Sequence, residues 1–179
     1  MQAGRSVGCL VIDDPNSTGG VLAALTGRLQ AHGVTASRFD ITWTEPLYTE
    51  LQRAYQRVRR DDAVNCLVAG GAGCGCALAL ASQLPVDRLA LVDPFDWRGT
   101  GPLRRIHRYA DRGAALCVCD VLILPGSHTV RGYAERLHRR LCNCGVQFLS
   151  PAAPGENRSR WETSILHFLR DGVWPQSLA

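Results

Sequence analysis

Asn65-Cys-Leu-Val-Ala-Gly-Gly-Ala-Gly-Cys-Gly-Cys-Ala-Leu-Ala-Leu-Ala81 decides how this chain folds. An apolar run ends in a cluster of small residues, and an Ala/Leu segment of helical character follows at once. A strand turns this abruptly into a helix only where the side chains around the bend are small, since larger ones collide. The stretch therefore reads as strand, sharp bend and helix.

Outward from that bend, apolar β-branched runs alternate with helix-length amphipathic segments along the whole chain. Strands are predicted at 7–12, 35–41, 63–69, 87–92, 117–124 and 145–150, and helices at 19–32, 46–60, 75–84, 101–113, 130–143 and 159–171. Six β–α units predict an α/β fold, a three-layer α/β/α sandwich around a mainly parallel six-stranded sheet. Gly33 and Gly145 stand where helix ends favour positive φ, and Pro46 suits a first helical turn. With 179 residues, 46% of them hydrophobic, the chain is read as one domain, 1–179.

The net charge of +4 comes from arginine, because the sequence contains no lysine. Arg59-Arg60, Arg104-Arg105 and Arg139-Arg140 are dispersed doublets rather than a basic stripe, so no nucleic-acid partner is expected. No apolar run approaches the roughly 18–20 residues that span a bilayer, so no membrane partner is expected. Eight cysteines without a charged-then-apolar leader favour a cytoplasmic location with reduced thiols.

With its bend in the third of six units, the chain resembles the α/β-hydrolase superfamily, the serine esterase, lipase and peptidase group. Gly70-Gly-Ala-Gly-Cys-Gly-Cys76 resembles that family's nucleophile elbow, with Ala72 or Cys74 at the nucleophile position. Gly8–Asp14 and Val21–Gly33 resemble its third strand and first helix, Val86–Pro94 the strand after the elbow helix, and Val121–Gly126 the strand before the acid loop. The resemblance implies a core that lacks the first two strands and the lid. It also implies a degenerate triad. Pro125–Val130 has no carboxylate where the acid belongs, and Pro151–Arg158 offers Glu156 or Asn157 where the base belongs. Asp13-Asp14 stands where many members carry His-Gly near the oxyanion hole, and two carboxylates beside a developing oxyanion raise the barrier.

The resemblance thus implies a non-catalytic protein that binds a small molecule or a partner at the carboxyl edge of the sheet, through Asp13, Asp14, Gly71, Ala72 and Gly73. The alternative is a thiol esterase or acyl hydrolase. Cys74 opens a helix, where the dipole favours a thiolate, and His128 and Asp93 fall at strand ends on the same edge, giving nucleophile, base and orienting acid. Dienelactone-hydrolase relatives use a cysteine in such an elbow. A third reading takes Gly71-Ala-Gly-Cys-Gly75 with Asp93 as a dinucleotide-binding turn, one residue out of register. The pairs Cys74/Cys76, Cys117/Cys119 and Cys142/Cys144 have short spacers and lie on different elements, so no metal is expected, and no cofactor. An uncovered sheet edge points to a homodimer.

Overall fold

The computed structural model describes residues 6–15, 22–42, 47–94, 119–124, 136–137, 139–141, 146–148 and 157–172. Its elements are β1 (Val7–Asp13), α1 (Leu25–Ala31), β2 (Thr35–Asp40), α2 (Leu47–Val58), β3 (Val64–Gly70), α3 (Gly73–Ala81), β4 (Arg88–Val92), β5 (Asp120–Leu124), β6 (Val146–Phe148) and α4 (Asn157–Asp171). All six strands are parallel, in the spatial order β2-β1-β3-β4-β5-β6. The helix predicted at 101–113 lies outside the described residues.

Alternation along each strand sends side chains to two separate cores. Leu10, Ile12, Leu67 and Leu89 face α2 and α3, while Cys9, Val11, Cys66 and Val68 face α1 and α4. Helices on both faces make the three layers. The central strands are buried on both sides, which is why β1 from Val7 to Ile12 and β3 from Cys66 to Gly70 read as unbroken apolar runs. All nine residues of α3 are buried, so its sequence shows no polar face. The predicted start of this helix, residue 75, moves back to Gly73 because the bend needs fewer residues than the cluster of small ones suggests.

β2 has no neighbour on its far side among the described residues. The Ile41 amide donates to the Asp13 carbonyl at 2.8 Å, so by alternation the Ala36 backbone points away from β1. The Gln30 side chain reaches over from α1 and donates to the Ala36 carbonyl at 2.9 Å. No helix among the described residues is long and apolar enough to cross a membrane.

Candidate functional site

Between the end of β3 at Gly70 and the start of α3 at Gly73 lie two residues, Gly71 and Ala72. Gly71 has φ +53°, the left-handed region that a side chain disfavours, and its amide donates to the Val92 carbonyl at 3.0 Å. Ala72 is already helical, with φ −65° and ψ −23°. The vertex of the bend is therefore Gly71, and the small residues two before and two after it are Ala69 and Gly73. The positive φ falls one residue before Ala72 and three before Cys74, the two positions that the sequence expectation offers for the nucleophile.

Gly73 shows how tight the bend is. A Cβ there would lie 3.1 Å from the Ile12 carbonyl oxygen and 3.4 Å from Ile41 Cδ1. The first turn of α3 thus rests directly on the end of β1, which leaves little room beside the vertex.

Cys74 points inward. It is fully buried, and its Sγ lies 3.4 Å from the Ala69 carbonyl oxygen and 3.7 Å from that of Val92, as donor to both. The expectation of a lowered thiol pKa is reversed: burial pushes the Cys74 thiol well up, and the nearby negative charge of Asp93 adds to it. The helix dipole does not win, because a desolvated thiolate loses more than one helix end returns. Cys76, also buried, is pushed up to about 12 by burial and then by the charge of Asp14.

Asp93 follows β4 with φ +47°, and its amide donates to the Leu124 carbonyl at 2.8 Å. A non-glycine residue in this region marks a bend held by its surroundings. His128 lies outside the described residues, so of the Cys74, His128 and Asp93 set the structure places only Cys74 and Asp93.

Asp13 and Asp14 close β1 and are both buried. The Asp13 carboxylate lies 3.1 Å from Arg38 Nη2, and Arg38 Nε lies 2.6 Å from Asp40 Oδ1. Sequence reasoning placed Asp13 at the binding edge and missed Arg38. The signal was the strand alternation: Arg38 and Asp40 share a face of β2, and the register sets Asp40 beside Asp13. This guanidinium offsets the carboxylates that a cation would need. Among the described residues, no group of three or more His, Cys, Asp and Glu side chains is disposed to hold a metal ion.

No family model and no curated protein matches the sequence. Solved structures do match in fold. One of the metagenome-derived lipolytic enzymes LipS and LipT superposes with TM-score 0.75 at 12% identity, covering 93% of this chain and 94% of that one. The esterase domain of a Rhodothermus marinus protein gives 0.69 at 14% identity, covering 95% and 88%. A soluble variant of monoglyceride lipase from Saccharomyces cerevisiae gives 0.65 at 11%, covering 98% and 89%. Together with the six parallel strands and the bend between β3 and α3, these likenesses assign the chain to the α/β-hydrolase fold.

Proposed function

We propose that this protein uses the α/β-hydrolase fold without its hydrolytic reaction, and that it binds a small molecule or a partner at the rim formed by Asp13, Asp14, Gly71, Ala72 and Gly73. One observation carries the reading. The residue with positive φ at the bend between β3 and α3 is Gly71, and it has no side chain to present. Two others support it: the thiol of Cys74 is buried and directed at backbone carbonyls, and carboxylates stand at the end of β1 where an oxyanion would need donors. The structural neighbours are lipolytic enzymes and esterases, so acyl compounds are the ligand class to try first.

The dinucleotide reading has less support, since Gly73 and Gly75 are buried inside α3, and Gly73 serves its packing on Ile12. The thiol-hydrolase reading supplies the decisive test. Turnover of short-chain p-nitrophenyl esters is measured for the wild type and for Cys74→Ala, alongside alkylation of the folded protein by iodoacetamide. The expected result is no turnover that depends on Cys74, and no labelling of Cys74 ahead of the buried Cys9 and Cys66. Ester hydrolysis abolished by Cys74→Ala in a folded variant would establish the thiol enzyme instead.

A further inference from the structure

Away from the elbow, α2 turns Thr49, Gln52, Arg53, Gln56 and Arg57 outward, opposite its buried stripe of Leu51, Tyr55 and Val58. Spacings of three and four residues make these five positions one continuous helical face. Together with Leu84, half-buried in the turn after α3, they line an open concavity of about 490 Å³. Its wall is fixed relative to its floor, because the Tyr55 hydroxyl on α2 donates to the carbonyl of Pro85, next to Leu84. The feature is therefore built into the packing of α2 against the α3–β4 turn.

Two arginines mark this surface. Arg28, Arg38 and Arg59 each face a carboxylate, and Arg60 and Arg88 each donate to backbone carbonyls. Among the described residues, Arg53 and Arg57 make no such contact. They stand one turn apart, and guanidinium forks match carboxylates in pairs. Glu50 lies one turn before Arg53, and after α2 Arg59 pairs with Asp61 while the Arg60 guanidinium donates to the backbone carbonyls of Arg57 and Arg59. Arg53 and Arg57 thus remain as the two guanidinium groups of α2, about one turn apart on its outward face.

We infer that this concavity docks an acidic helical segment of a partner protein, with two carboxylates one helical turn apart and an aliphatic side chain against Leu84. A pair of carboxylates so spaced meets Arg53 and Arg57 together, and Gln52 and Gln56 lie one turn apart beside them. A nucleic-acid backbone fits less well, since evenly spaced phosphates that continued past Arg53 would meet Glu50. Both guanidinium groups are exposed, so the interaction is modest and falls with salt. This inference does not rest on the elbow's inactivity.

The test uses the full chain and two labelled helical peptides of identical composition. One carries glutamates one turn apart with a leucine on the same face; its isomer scatters them around the helix. Fluorescence anisotropy at low salt is expected to show the first peptide binding about tenfold more tightly than the isomer. Arg53→Gln with Arg57→Gln, which keeps the helix-forming character of α2, is expected to remove that difference while leaving the thermal midpoint unchanged. Equal binding of the two peptides, an unchanged affinity in the double variant, or tighter binding of a short DNA duplex through the same arginines would overturn the proposal.

Discussion

Arg38 on the edge strand β2 lies 3.1 Å from the fully buried carboxylate of Asp13 on β1, and it ties the carboxyl end of the sheet's first strand to its border. Its other contact, to the exposed Asp40, is the weaker partner because water screens it. A charge pair with one fully buried partner thus sits at the margin of the candidate binding edge.

Removing Arg38 leaves the Asp13 carboxylate in place without this cation. Arg38→Ala is expected to destabilise the protein by about 2–4 kcal/mol in urea unfolding, since one partner of a buried pair is lost. Arg59→Ala is the control: its partner Asp61 is 94% exposed, and the same measurement should move by less than about 1 kcal/mol. Equal losses would show that burial does not set the strength of these pairs.

Gly71→Ala places a Cβ on a backbone with φ +53°. A cost of about 1–2 kcal/mol is expected from unfolding curves. Gly71→Ser should lose a similar amount and gain no esterase activity, because a lone hydroxyl without a base is a poor nucleophile. Serine-dependent turnover in that variant would reveal a base beside the vertex.

Two other glycines should respond with opposite signs. A Cβ at Gly8 would collide with the Val58 carbonyl oxygen, so Gly8→Ala is expected to cost about 2–3 kcal/mol. Gly27 lies inside α1 with nothing within 4 Å of its Cβ position, so Gly27→Ala should stabilise by about 0.5–1 kcal/mol. Thermal and urea midpoints of the pair check both.

Alkaline pH should unfold the protein through its buried thiols. Cys9 and Cys76 are each raised from 9.0 to about 12, so above pH 9 the unfolded chain releases protons that the native state keeps. Their contribution is fully present below pH 9 and is lost between pH 9 and about 12, at ~1.4 kcal/mol per unit for each thiol. Stability measured across that range in Cys9→Ala should fall less steeply than in wild type.

The strands and the bend were legible because their signals are local. Small residues crowd around Gly71, and β1 and β3 are apolar on both faces. The identity of the vertex was less legible, since five glycines and alanines in a row allow several registers and only the backbone angle separates Gly71 from Ala72. Cys74 misled for a different reason. Its place at a helix start was read correctly, but the direction of its side chain depends on how α3 packs over β3 and β4. The Arg38–Asp13 contact was hidden because it joins two strands whose register no single strand encodes.

One consequence follows from the amide of Gln30, which already occupies the outward Ala36 carbonyl. A second chain seeking to extend the sheet by zipping its own backbone along this border must first evict that amide, so self-association by strand addition begins at a disadvantage here. The glutamine acts as a doorstop on this margin of the sheet.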